Sequence, residues 1–219
     1  QSWCDAGHIL AWDQIALKTV QVTAQTRRSS YQPSTPDVQI RDGRIHLRAM
    51  DSAFSFDACG LTEVRFKEEA VLEGDLMINI WRAPIDNDGI KGWTGQQHKA
   101  LDRWRAQGLF DAIPETGKLS ITEQGDHGVV ISHTTRIITQ VGQIRCKTRY
   151  HLTPDAALHV SHQFQVPKAL KDLPRLGVRY RLKPDFENLS WYGRGPHETY
   201  VDRKQSGRLM VHESTVGAQ

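Results

Sequence analysis

Cysteine is scarce: three in 219 residues, at positions 4, 59 and 146, with no C-x-x-C pair. So odd and scattered a set is neither a disulfide framework nor a zinc ribbon. Each thiol reads as a small buried hydrophobe, and a reducing, cytoplasmic setting is expected. Long apolar runs are missing too. The richest stretches, around 129–131 and 137–138, are broken by His, Thr and Arg, far short of the roughly 20 residues that a membrane helix needs. No membrane partner is expected. Neither charge sign prevails: 28 Lys and Arg face 25 Asp and Glu, for a net charge of +3. The acids are interleaved with the bases, whereas nucleic-acid binders gather their bases on one stripe. No nucleic-acid partner is expected. The phosphate-loop pattern G-x-x-x-x-G-K-[ST] is absent.

What is present is alternation with period 2, the mark of half-buried strands. Ile15, Leu17, Val20 and Val22 fit a first strand. Residues 25–37 then turn polar and include Pro33 and Pro36, which makes them the best candidate for a linker or boundary. Val38 and Ile40 alternate before Asp42-Gly43, and Ile45, Leu47 and Ala49 alternate after it, a hairpin signal. Phe54 and Phe56 begin another strand, which turns at 57–60 into 61–66. Further strands are predicted at 76–81, 118–121, 129–138, 143–152, 158–166 and 175–182. One helix is predicted over 96–107, with Ala100, Leu101 and Trp104 on one face and Gly108 closing it. The fold class is all-β: antiparallel sheets in a sandwich, with one short helix. The chain opens on Gln1 in mid-pattern and stops at Gly217-Ala218-Gln219 without a closing element, so a portion of a longer polypeptide is expected.

Two segments are dense in chemistry. The first runs Trp81-Arg82-Ala83-Pro84-Ile85-Asp86-Asn87-Asp88-Gly89 and leaves a strand. On an extended backbone Asp86 and Asp88 share a face, about 6.5–7 Å apart at Cα. Such a pair suits glycosidase acid and base, a cation site, or turns capped by side chains. A calcium loop with Gly89 at position 6 would put Pro84 and Gly95 where acids are required, so that reading fails. Gly89, Gly92 and Gly95 surround Trp93, which either covers a ligand or packs under its loop. The second segment runs from Trp191 to Arg203. Its Gly193-Arg194-Gly195-Pro196 string forces a tight path. Glu198 and Asp202, beside Arg194 and Arg203, suit ion pairs or sugar hydroxyls. His159 and His162, three apart on a strand, face opposite sides and do not readily share a metal.

Phe54-Ser55-Phe56-Asp57, then 79–88, then Trp104-Arg105-Ala106-Gln107-Gly108-Leu109, then 191–203 occur in that order. This set resembles the C-terminal small-chain domain of the large bacterial β-galactosidases of glycoside hydrolase family 2. Residues 6–14 resemble the last strand of the immunoglobulin-like domain that precedes it. The resemblance implies two parts: residues 1–24 ending the preceding sandwich, and 25–219 forming the first and central part of a galactose mutarotase-like supersandwich. It implies a β-galactoside substrate for the intact enzyme, and a retaining mechanism by two glutamates in a barrel domain. No residue here matches those glutamates. No catalytic residue is therefore expected in this chain, and Asp86 and Asp88 are not the catalytic pair.

The resemblance implies a role at the active-site rim instead, with Arg82, Asp86, Asn87, Asp88, Gly89 and Trp93 toward carbohydrate and a mobile loop over 89–99. Trp191, Gly193, Gly195, Pro196, Glu198, Tyr200, Asp202 and Arg203 form a structural motif. No cofactor is expected in this portion, while Mg and Na in the intact enzyme are held chiefly by the barrel. The remaining domains of the same enzyme and further copies of the chain are the expected partners. A free-standing sugar-binding or mutarotase-like module is the alternative.

Overall fold

The structure is a computed structural model and describes residues 5, 9, 11–15, 34–74, 76–92 and 98–218. The described residues group into two compact units, one drawn from Gln1–Arg28 and Pro184–Gln219, the other from Ser29–Lys183. The expected strand at 15–22 lies, beyond Ile15, outside the described residues, as does most of the expected boundary at 25–37.

The larger unit opens with five strands: β1 (Asp37–Arg41), β2 (Arg44–Ala49), β3 (Ser52–Asp57), β4 (Gly60–Phe66) and β5 (Glu69–Ala70). They form one antiparallel meander in sequence order. Asp42 and Gly43 close β1 onto β2 with φ of 50° and 76°, both left-handed, as a two-residue hairpin requires. Strand β6 (Met77–Asn79) follows, then helix α1 (Ala100–Ala106). Four long strands form the second sheet: β7 (Pro114–Gly125), β8 (Gly128–Thr139), β9 (Gly142–Leu152) and β10 (Leu158–Gln165), in the order β10-β9-β8-β7. Strand β11 (Gly177–Arg179) pairs with β6.

One core joins the two large sheets. Ile45, Leu47, Phe54, Phe56 and Leu61 from the first meet Val129, Ile131, Tyr150 and Leu152 from the second. Phe56 and Tyr150 touch edge to face with ring centroids 5.0 Å apart, a favoured aromatic geometry. A second cluster gathers Ile78, Ile80, Leu101, Trp104, Leu109, Ile137 and Ile144, and so seats α1 on the end of the second sheet. The helix ends in a Schellman motif: Leu109 N–H donates to Trp104 O at 3.0 Å and Gly108 N–H to Arg105 O at 2.9 Å.

Four expectations need correction. The helix begins at Ala100, with Lys99 as its N-cap, and residues 96–97 lie outside the described set. The strand expected at 76–81 is only three residues long, because the Asn79 side chain accepts the Trp81 N–H at 3.2 Å and draws the backbone off the ladder. Its partner, expected at 175–182, is equally short. The strand expected at 118–121 is longer, spanning Pro114–Gly125 with two register shifts.

The smaller unit is built on an antiparallel ribbon of β12 (Asn188–Gly195) and β13 (Arg208–Thr215). Gln14 docks on it with its amide, donating to Leu209 O at 3.0 Å and accepting from Leu209 N–H at 2.6 Å. The Arg208 guanidinium lies 5.3 Å from the centre of the Trp12 ring. Leu189, Tyr192, Leu209, Met210 and Val211 are exposed on this ribbon.

Candidate functional site

The first candidate segment leaves β6 and folds back on itself. Residues Asp86–Asp88 form a single 3-10 turn instead of an extended run. The two acids therefore part. Asp88 is buried, and Arg82 grips it with both terminal nitrogens, at 2.6 Å and 3.1 Å. The same carboxylate accepts the Ile85 N–H at 2.8 Å, closing the turn from within. Asp86 is exposed and pairs with Lys91 Nζ at 2.8 Å. The shared face expected for Asp86 and Asp88 is thus corrected: a turn, not a strand, separates them. Burial pushes the Asp88 carboxyl up, but the Arg82 and Ile85 hydrogen bonds and the Arg82 charge outweigh it. The net result lies below the ordinary aspartate range, so Asp88 is a fixed anion and not a proton donor.

Arg82 is anchored on three further sides. Its Nε donates to Pro174 O at 3.0 Å and one terminal nitrogen donates to Ala83 O at 3.1 Å. Its guanidinium carbon sits 5.2 Å from the Trp104 ring centre, a cation–π contact. Trp104 is held in turn. Its indole donates to Asp172 at 3.3 Å, and Asp172 is gripped by Arg103. The Arg103 hydrogen bond holds the Asp172 carboxyl below its ordinary range. Trp81 meets Trp104 and Phe110 edge-on, at 6.1 Å and 5.1 Å. Asp172 and Pro174 carry no motif, and sequence reasoning passed over them. Asn87 is exposed and Gly89 is half-buried with φ of 100°. Trp93 lies outside the described residues.

The second segment occupies the smaller unit. Trp191 stacks on His212, centroids 5.2 Å apart, and donates its indole N–H to Arg194 O at 3.2 Å. Gly195 is required there: a Cβ would lie 2.9 Å from both the Trp191 and His212 rings. Gly193 precedes it on β12, and Pro196 follows through a cis peptide bond. The ion pairs expected of Glu198 do not form among the described residues, and those of Asp202 fall on a side chain outside them. Arg194 donates instead to the carbonyls of Lys204 and Gly207, at 3.1 Å and 3.2 Å. Among the described residues no ion pair involves Glu198 or Arg203, and both are exposed. One acceptor, Lys204, belongs to the 3-10 segment Val201–Ser206, and the other, Gly207, is the residue that caps it. Tyr200 is exposed, and its carbonyl accepts the Arg203 N–H at 2.9 Å. The Asp202 side chain lies outside the described residues.

These features define an all-β chain in which Arg82, Asp88, Arg103, Asp172 and Arg194 serve to fix loops, with Asp86 and Asn87 exposed on a locked turn. Among the described residues no group of three or more His, Cys, Asp or Glu is placed to hold a metal ion, and no helix is long and apolar enough to cross a membrane. The family model described as beta galactosidase small chain matches residues 48–219, and the chain belongs to that family. It is similar to the β-galactosidase of Vibrio cholerae, 30% identical over 226 aligned residues, covering 99% of this chain and 21% of that protein. It is also similar to the β-galactosidase of Klebsiella pneumoniae, 27% identical, covering 99% and 21%. A third is the β-galactosidase of Priestia megaterium, 25% identical, covering 100% and 20%. The chain thus spans about a fifth of the length of these relatives.

Proposed function

We propose that this chain is a non-catalytic portion of a cytoplasmic β-galactosidase, a retaining hydrolase of terminal β-D-galactosyl residues such as that of lactose. The catalytic glutamates, and the principal ligands of Mg and Na, belong to the rest of that enzyme. This portion shapes the rim of the active site through the turn at Arg82–Gly89 and the segment beyond it.

The observation that carries the reading is the Arg82–Asp88 clamp seated on Trp104. It commits Arg82 and Asp88 to holding the turn, which leaves Asn87, and Asp86 with its exposed partner Lys91, on the outer side for sugar hydroxyls. The exposed apolar side chains of the β12–β13 ribbon support a second role in assembly, with the remaining domains or with another copy.

Two assays test the proposal. The 219-residue chain alone should not hydrolyse a chromogenic β-galactoside. Added to a β-galactosidase deleted for the corresponding segment, it should restore turnover. Robust hydrolysis by the chain alone, or no rescue of the deleted enzyme, would overturn the reading. Galactose bound at millimolar or tighter affinity by the isolated chain, without rescue, would favour a free-standing sugar-binding module.

A further inference from the structure

Strand register places two imidazoles side by side, away from both segments described above. His151 on β9 and His159 on β10 are direct cross-strand partners. Tyr150 and Leu152, which flank His151, belong to the core, so His151 and His159 stand on the opposite face of the sheet. Opposed positions on antiparallel strands hold their Cβ atoms about 4.5–5.5 Å apart. The two rings are 6.1 Å apart between centroids, with planes inclined at 39°. Two imidazoles sharing a tetrahedral zinc, at a Zn–N length of about 2.0–2.1 Å, have centroids about 5 Å apart. Small side-chain rotations cover that difference.

The protonation pattern suits a ligand. His151 Nε2 lies 2.8 Å from the His127 carbonyl oxygen. A carbonyl only accepts, so Nε2 carries the hydrogen and Nδ1 keeps its lone pair. A metal-ligating histidine is generally oriented in this way, by donating its far N–H to a carbonyl or carboxylate. His159 is exposed and has no hydrogen-bond partner among the described residues. His162 is excluded: it faces the other way and its Nδ1 is 3.0 Å from Thr148 Oγ1.

We propose that His151 and His159 form a two-imidazole site for a borderline divalent transition-metal ion of the zinc, nickel and copper class, with water completing the coordination. Hard, oxygen-seeking Mg²⁺ is not bound by such a pair. The ion staples β10, an edge strand among the described residues, to β9.

The test is calorimetric titration of the 219-residue chain with zinc chloride in a non-chelating buffer, with magnesium chloride as the comparison. The wild-type chain should bind zinc and give no heat with magnesium. His151→Gln and His159→Gln should each weaken zinc binding by about tenfold or more. In parallel, nickel should broaden the ring-proton resonances of His151 and His159 before those of the other histidines. This second readout needs no variant to fold beyond the two that assign the peaks. Zinc isotherms unchanged in both variants, no zinc binding tighter than about 1 mM, or nickel broadening centred on other histidines would each overturn the proposal.

Discussion

Asp88→Asn is the most informative single change to the locked turn. Asp88 is 7% exposed, and its carboxylate accepts three hydrogen bonds, two from Arg82 and one from the Ile85 N–H. An asparagine oxygen can keep the bonds at one position. Its NH2 then faces an Arg82 nitrogen, donor against donor, and the charge pairing is lost. Hydrogen bonds to charged groups contribute about 1.5–3 kcal/mol each, and a partner such as Arg82, whose side chain is 28% exposed, recovers part of its solvation. A net loss of about 2 kcal/mol is expected, or roughly 4–8 °C in Tm for a unit of this size. Urea unfolding followed by tryptophan fluorescence reads it directly, since Trp104 lies against Arg82.

The pH dependence supplies an independent check. The Asp88 carboxyl titrates below its ordinary value in the folded chain, because its hydrogen bonds and the Arg82 charge outweigh burial. Its stabilisation is therefore complete above the unfolded value of about 3.9, and is lost as pH falls through the lower folded value. The parent and Asp88→Asn curves should converge below about pH 4. A variant within about 0.5 kcal/mol of the parent at neutral pH, or a gap that stays constant under acid, would refute the clamp.

Gly128→Ala should be severe, because φ is 107° and the new Cβ would lie 2.1 Å from the Leu152 carbonyl oxygen. A loss of about 3 kcal/mol or more is expected in thermal melting, while Gly125→Ala, whose Cβ meets nothing within 4 Å, should stay within about 0.5 kcal/mol. Burial lowers the His133 imidazole below its ordinary value, against the pull of the Ala58 carbonyl and Asp57, and burial alone lowers His162. The unfolded chain takes up these protons near pH 6.5 and the folded chain does not, so stability should fall as pH drops from about 7 to 5. His162→Gln should make that urea-midpoint slope shallower, and an unchanged slope would count against the buried neutral ring.

The parts of the fold that could be read from sequence are those whose information is local. Asp42-Gly43 specified its hairpin because both residues must take left-handed backbone, and they do. Strands β9 and β10 alternated cleanly because one face packs on Phe56 and Leu61 across the core and the other meets water. Strand β13 was not foreseen because neither of its faces is well buried: Leu209, Met210 and Val211 are consecutive and all exposed, so no period survives. The acidic turn departs from the extended run its spacing suggests for a different reason. Its shape is set by Arg82, six residues before Asp88, and by the Pro174 carbonyl far along the chain, and neither is visible in the spacing of Asp86 and Asp88. The histidine pair lies between these cases. His159 and His162, three apart on one strand, face opposite sides of the sheet and so share no ligand. Once the turn at Thr153–Ala157 is placed, by the Thr153 N–H donating to Ala157 O at 3.0 Å, register follows by counting outward from Asp155. Leu152 then meets Leu158, and His151 meets His159. In an antiparallel hairpin, side-chain neighbours are fixed by equal distance from the turn, so a search for ligand pairs in a β protein has to begin at its turns and not along its strands.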